Sequence, residues 1–145
     1  MKLRDIQARC DRVPFYRHLG FSVTETSDTH FVACMPFEQR HIGNPVLDTY
    51  HGGIIASFME AIASLTVLDD LESPPPKPIN LTVDYLRPGL PGTLNTRAMV
   101  SRKGRRLASV EAVAWLEDEG KPVAQGLFTF LLIVSLKALR IRRNG

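Results

Sequence analysis

Cysteine is scarce in this chain: Cys10 and Cys34 are the only two among 145 residues. Two thiols give neither a disulfide framework nor metal-ligand spacing, so both are expected as reduced thiols of a cytoplasmic protein. The opening Met1-Lys2-Leu3-Arg4-Asp5-Ile6-Gln7 has no apolar core of a secretory signal. The apolar stretch Leu127–Leu136 is, at about ten residues, too short to span a bilayer as a helix and reads as a buried strand. No membrane partner is therefore expected. Internal repeats, low-complexity segments and a second domain are missing too. No His, Cys, Asp and Glu cluster has metal-ligand spacing, so no metal is expected. No P-loop or dinucleotide-type glycine loop is present. Ser57 and Ser64 lie outside any G-x-S-x-G elbow, which leaves them as helix-packing residues.

What is present suits one soluble domain, residues 1–145, with 44% hydrophobic and 23% charged residues and a net charge of +3. Part of that charge sits in a basic tail, residues 135–145, where Lys137, Arg140, Arg142 and Arg143 face no acid. Such a tail can touch nucleic acid or an anionic membrane, or simply be a solvated terminus. No DNA-reading motif accompanies it, so no nucleic-acid partner is expected. An N-terminal helix falls within residues 1–14, with Leu3, Ile6 and Cys10 on one face. Residues 15–20 read as a connector. Phe21–Thr26 and Phe31–Pro36 alternate as two strands around the Ser27–His30 turn, and residues 37–50 read as a loop. From Gly52 to about Leu68 the period is helical and the surface apolar nearly all round, which predicts a buried helix; Pro74-Pro75-Pro76 cannot continue it. Four more strands follow: Ile79–Leu86, Thr93–Arg102, Arg106–Glu117 and Pro122–Val134. Short turns separate them, as antiparallel neighbours require. The sum is an α+β domain with about six antiparallel strands around one long buried helix.

The chemistry-bearing segment is Asn44-Pro45-Val46-Leu47-Asp48-Thr49-Tyr50-His51-Gly52-Gly53, running into Ile54–Glu60. Two glycines at a helix start leave N–H groups approachable at the positive end of the helix dipole. Gly52 is the preferred oxyanion donor. Gly53 either shares that task or allows a close approach of helix and sheet. Glu60 is a carboxylate inside an apolar helix, whose burial would raise its pKa into a working range. Gly52 and Glu60 are separated by about 12 Å of helical rise. One carbonyl cannot meet both within ~3 Å on a single helix. Two antiparallel copies of the helix solve this, because each Glu60 then lies beside the partner's Gly52. If both residues act, the active unit is at least a dimer.

The strand–strand–helix–four-strand order, Asn-x6-His-Gly-Gly before the helix, and an acid nine residues past the His together resemble the hotdog-fold acyl-CoA thioesterases. The PaaI-like (phenylacetate-pathway) branch is most similar. Leu81-Thr82-Val83-Asp84-Tyr85-Leu86-Arg87-Pro88 also resembles that branch's strand after the helix. The resemblance covers roughly residues 15–134. It implies a hotdog fold, an acyl-CoA substrate with CoA as part of the substrate rather than a cofactor, and a homodimer or homotetramer. It further implies Glu60 as general base or nucleophile, His51 near the thioester or its leaving thiolate, and Asn44 as a loop asparagine positioning substrate or water. His51 could equally cap the helix, and Asn44-Pro45 could simply form a turn. Many members of the family carry Asp where this chain has Glu60.

Coenzyme A brings phosphate charge, for which Arg87, Arg102, Lys103, Arg105 and Arg106 are candidates. The four around Gly104 could instead be a solvated hairpin tip. Phe58, Met59 and Leu65 are expected to line the acyl pocket. The implied reaction is hydrolysis of acyl-CoA to free acid and CoA. Two other readings stand beside it: a hotdog hydratase or dehydratase, which the chain lacks the His-Phe-Pro-type motif to support, and a non-catalytic acyl-CoA binder, against which Glu60 argues.

Overall fold

The computed structural model describes residues 1–133, together with Arg140 and Arg143. Apart from those two arginines, the basic tail 135–145 lies outside the described residues. Two short helices, α1 (Leu3–Asp11) and α2 (Pro14–Leu19), lead into the hairpin β1 (Ser22–Thr26) and β2 (His30–Met35). A 3-10 turn, Gln39–His41, precedes a small hairpin of β3 (Ile42–Asn44) and β4 (Thr49–Tyr50). The long helix α3 (Gly52–Thr66) follows, then β5 (Lys77–Tyr85), β6 (Leu94–Lys103), β7 (Leu107–Trp115) and β8 (Ala124–Leu131). Six strands form one antiparallel sheet in the order β1-β2-β6-β7-β8-β5, leaving β1 and β5 as edges.

The α+β reading holds, with two local corrections. Residues 15–20, expected as a connector, are α2. Pro14 takes its first position, where the missing N–H costs nothing, and Gly20 closes it in the left-handed region (φ 80°). Residues 37–50 hold the 3-10 turn and the β3–β4 hairpin rather than loop alone, and the register slip between Ile42 and Asn44 masked the alternation.

Helix α3 lies on the inner face of the sheet, chiefly against β6 and β7. Phe58, Met59 and Ile62 are fully buried there. The sheet side of this contact is lined with small residues: Ala33, Ala98, Ala108, Ala112, Ala114 and Ala124 are all buried. Methyl groups across from a bulky helix let its axis come close to the sheet while the phenyl rings of Phe58, Phe128 and Phe130 fill the remaining space. Thr96, the polar residue of that face, donates its hydroxyl to Val113 O at 2.9 Å and is thereby satisfied. No described helix is long and apolar enough to cross a membrane.

Edge strand β5 departs from the rest. Its pairing with β8 is complete, but nearly every residue is exposed, including Ile79, Leu81 and Tyr85 on the face turned toward α3.

Two interactions fix the chain as it enters α3. His41 is fully buried; its Nε2–H donates to Leu19 O at 2.8 Å while Nδ1 accepts from the Glu38 N–H at 3.2 Å. That pairing specifies the neutral ring, and burial pushes its pKa below the ordinary value. Its backbone carbonyl accepts the His51 N–H at 2.8 Å. Gly43 lies so close to His51 that a Cβ there would sit 2.5 Å from the His51 Cα.

Two outcomes follow from this entry region. The unfolded chain takes up the His41 proton first, so stability falls as pH drops below about 6.5 and levels off below the folded-state pKa. In urea titrations across this range, the acid-side loss in the wild-type protein should exceed that in a His41→Gln variant, which keeps a donor but does not titrate. Gly43→Ala should lower Tm by about 3–8 °C, because the backbone contact with His51 cannot relax by a rotamer change; calorimetry reads this directly, and an unchanged Tm would contradict the contact.

Candidate active site

His51 is the N-cap of α3, with extended backbone (φ −62°, ψ 132°). Its Nδ1 accepts the Gly53 N–H at 2.8 Å, and its carbonyl accepts the N–H groups of Ile54 and Ile55 at 2.9 and 3.2 Å. Of the amides that open the helix, the Gly52 N–H alone finds no acceptor among the described residues. It stands at the positive end of the dipole, one residue inside the cap.

Each glycine has a distinct steric reason. A Cβ on Gly53 would lie 2.9 Å from His51 Nδ1, so glycine is what lets the imidazole fold back onto the helix. A Cβ on Gly52 would lie 3.2 Å from the Tyr85 ring, and the Tyr85 hydroxyl donates to Gly52 O at 2.7 Å. Tyr85, on β5, thus braces the residue whose amide is open. Sequence reasoning quoted it within Leu81–Pro88 but gave it no role, since the contact spans 33 residues and no local pattern carries it.

Asn44 lies on β3, where its Oδ1 accepts the N–H groups of Val46 and Leu47 at 3.0 and 3.4 Å. This closes the turn before β4, and the side-chain Nδ2 has no partner among the described residues. Tyr50 anchors the same region: its N–H donates to Gly89 O at 2.8 Å and its hydroxyl to Gly92 O at 2.6 Å.

Glu60 lies on the third turn of α3, half-buried, with no ion pair or hydrogen-bond partner among the described residues. Burial raises its pKa above that of an ordinary glutamate. Its charge is felt by Tyr16 of α2, whose phenol is pushed up mainly by burial. The carboxylate is therefore held where its ionised form is disfavoured and its basicity increased. Gly52 and Glu60 belong to the same helix and cannot converge within one chain.

The basic residues divide between the two ends of α3. Arg87 lies two residues past β5, near the helix start, and its Nη1 donates to Pro122 O at 2.8 Å. Lys103 pairs with Asp69 at 2.8 Å, just beyond the helix C-terminus. Arg102, Arg105 and Arg106 are exposed around the same turn with no ion pair among the described residues. The Ser64 hydroxyl is turned back to Ala61 O at 2.7 Å. Cys10 is a buried free thiol whose pKa is pushed up to about 11, mainly by burial, and so is a poor nucleophile.

Phe58 and Met59, expected in an acyl pocket, are instead core residues packed toward the sheet; Leu65 does border open space. That space is a cavity of about 220 Å³ between α1, α2 and the last turns of α3. A larger concavity of about 560 Å³ lies on the outer face of the sheet, lined by Thr82, Arg97, Glu111 and Leu127 among others. The sheet itself separates it from Gly52 and Glu60.

Comparison with known proteins places the fold and the family. The family model described as the acyl-CoA thioesterase N-terminal domain matches residues 43–131, more than half of the chain. A solved structure from the thioesterase superfamily is 30% identical, covers 90% of this chain and 98% of its own, and superposes with a TM-score of 0.81. Acyl-coenzyme A thioesterase 13 of Mus musculus is 24% identical over 130 residues, 88% of this chain and 91% of that protein. The E. coli PaaI protein, from the phenylacetic acid degradation operon, shares the fold with a TM-score of 0.78 at 20% identity, over 91% of this chain and 93% of its own. A family match that begins beside Asn44 and ends with β8, on a six-stranded antiparallel sheet that holds one buried helix, leads to one conclusion: this chain belongs to the hotdog-fold acyl-CoA thioesterases.

Proposed function

We propose that the protein hydrolyses acyl-CoA thioesters to the free acid and CoA, in composite sites formed by two antiparallel copies of α3. The observation that carries this reading is the pair of complementary vacancies on one helix: the Gly52 amide without an acceptor and the Glu60 carboxylate without a donor. They are set about 12 Å apart along the axis. In a homodimer the open amide of one chain faces the carboxylate of the other. The exposed apolar inner face of β5 supports the same assembly, because a nine-residue edge strand with Ile79, Leu81 and Tyr85 uncovered needs a partner.

In the reaction the thioester oxygen accepts from the Gly52 N–H, and the helix dipole stabilises the negative charge that develops there. Glu60 of the second chain removes a proton from water, and the resulting hydroxide attacks the acyl carbon. Collapse of the tetrahedral intermediate expels the CoA thiolate, which takes up the proton. His51 positions the oxyanion donor through its bond to Gly53, and Gly53 supplies the room for that bond. Asn44 holds the loop beside the helix start, with its Nδ2 available to substrate or water. Tyr85 holds the Gly52 carbonyl, on the peptide that follows the donor, and so braces the residue that carries the open amide.

Charge on the carrier is met by Arg87 at one end and by Arg102, Lys103, Arg105 and Arg106 at the other. In an antiparallel pair, the C-terminal end of each α3 projects past the partner's Gly52, which brings the Lys103–Arg106 turn to the side from which CoA approaches. Lys103 is already neutralised by Asp69, so Arg105 and Arg106 carry most of this contact.

Glu60→Gln should lower kcat by about 10²–10⁴-fold, the usual worth of a general base. It should also raise stability at neutral pH, since a carboxylate with a raised pKa is least comfortable when ionised. Near-normal turnover in a folded Glu60→Gln protein removes this residue from the mechanism. In the wild-type enzyme kcat/KM should rise with pH along a limb set above the ordinary glutamate range of about 4.3, and that limb should vanish in the variant.

Mixing Glu60→Gln with Gly52→Pro subunits should restore part of the activity through hybrid sites. A fully active monomer in sedimentation at assay concentration would contradict the shared site. Charge reversal at Arg105 and Arg106 should raise KM for acyl-CoA well beyond any fall in kcat, and should leave an acyl-pantetheine substrate almost untouched. Equal losses on both substrates would assign the turn to the fold or the dimer instead.

A further inference from the structure

We propose that the cavity between α1, α2 and the last turns of α3 receives the far end of the acyl chain, and that Val13, Tyr16 and Ser64 set the length accepted. This inference rests on the thioesterase reading above and deepens it by locating the tail.

Position is the first argument. Ser64 follows Glu60 by one helical turn on the same face, and Leu68 lies just past the helix end, which places the cavity about 6–12 Å along the axis from the carboxylate. Tyr16 connects the two regions: it borders the cavity and also senses the charge of Glu60. A thioester held at Glu60 therefore has open space one turn away, along the flank that α1 and α2 cover.

Chemistry is the second. Val13, Leu65, Leu68, Pro75 and Pro76 give the cavity an apolar lining suited to methylene groups, beside the side chains of Arg9, Cys10 and Arg12. The Ser64 hydroxyl donates to Ala61 O and meets the Tyr16 phenol, so neither polar group seeks a partner from a passing chain. The far wall is fixed rather than loose. The Arg9 guanidinium forks to two carbonyls of the loop after α3, donating through Nη1 to Leu71 O and through Nη2 to Ser73 O at 3.0 Å. The clamp ties that loop to α1 and closes the end of the space.

Elimination is the third. The sheet side of α3 offers no room, because Phe58, Met59 and Ile62 are fully buried against it. The larger concavity lies across the sheet and cannot be reached from Glu60.

Size then names the substrate class. An apolar cavity of about 150 Å³ holds one benzene molecule, so 220 Å³ suits a tail somewhat larger than that. A straight chain reaching from the carboxylate to the level of Leu68 has about six to ten carbons. Medium-length acyl groups fill the space, and longer ones meet the Arg9-clamped wall.

The test is a series of straight-chain acyl-CoA esters from two to sixteen carbons, followed by thiol release. It is run beside calorimetric binding of the matching S-alkyl-CoA thioethers, which cannot be hydrolysed. In the wild-type protein kcat/KM should climb about fourfold per methylene and stop climbing near eight to ten carbons. Ser64→Leu, which fills the entrance with a strong helix former, should reduce the decanoyl-to-butanoyl ratio of kcat/KM by tenfold or more. Val13→Phe fills the opposite wall from a different element and should shift the ratio the same way, so a folding defect in one variant leaves the other decisive. An unchanged ratio in either folded variant overturns the assignment, as does uniform acceptance of all chain lengths by the wild type. If the wild type hydrolyses no ester at all, the thioesterase reading fails, and the thioethers still decide the cavity. Affinity that grows with alkyl length and loses this dependence in the filled variants upholds it, while flat affinity in the wild type overturns it.

Discussion

One hydrogen bond, from the Gly53 N–H to His51 Nδ1, decides which amide at the head of α3 is left open. Were His51 turned away, Gly52 and Gly53 would both offer open N–H groups. With the imidazole in place a single open N–H remains, one residue inside the cap, and Tyr85 holds the carbonyl of that same residue. Much of the neighbouring structure serves this arrangement. The His41 carbonyl holds the His51 N–H, Gly43 lets β3 pass against the His51 backbone, and Tyr50 ties the preceding residue to the 89–92 turn. These contacts come from four separate stretches of chain, which explains why a short hairpin outside the main sheet is kept so well bonded.

The elements that were legible in the sequence are those whose signal is periodic and local. Helix α3 and the last four strands fall within a few residues of where alternation and turn chemistry put them, and the first hairpin does as well. The misses have physical reasons. Pro14 looks like a breaker and is in fact an N1 residue. The slip in register between Ile42 and Asn44 erased the period-2 signal of a three-residue strand. Gly52, His51 and Glu60 stood out because their residue types are costly or unusual at a helix start or inside an apolar helix. Tyr85 and Gly43 did not, since a contact across the fold leaves no mark on neighbouring residues. The burial of Phe58 and Met59 was hidden for a related reason. A helix that is apolar all round does not announce which flank meets the sheet, so Phe58 and Met59 looked as available as Leu65.

Stability and chemistry are opposed along α3. Most of the helix contributes through burial, whereas Glu60 gives up solvation without gaining a partner within the chain. The open Gly52 amide is a similar concession, as a donor that a side chain could have capped. The alanine-lined contact with the sheet and the aromatic filling around Phe58 supply the surplus that tolerates both.

The alanine lining has one more effect, on precision rather than on strength. With methyl groups on one side and fully buried side chains on the other, the gap between helix and sheet has no slack to absorb a shift. The helix behaves as a ruler laid on the sheet, graduated by its own rise per residue. The Gly52 amide and the Glu60 carboxylate, both on this helix, keep their spacing whatever the surface loops do. That spacing is set by fifteen residues of helix packed on the sheet, so it is a property of the whole domain rather than of any one loop.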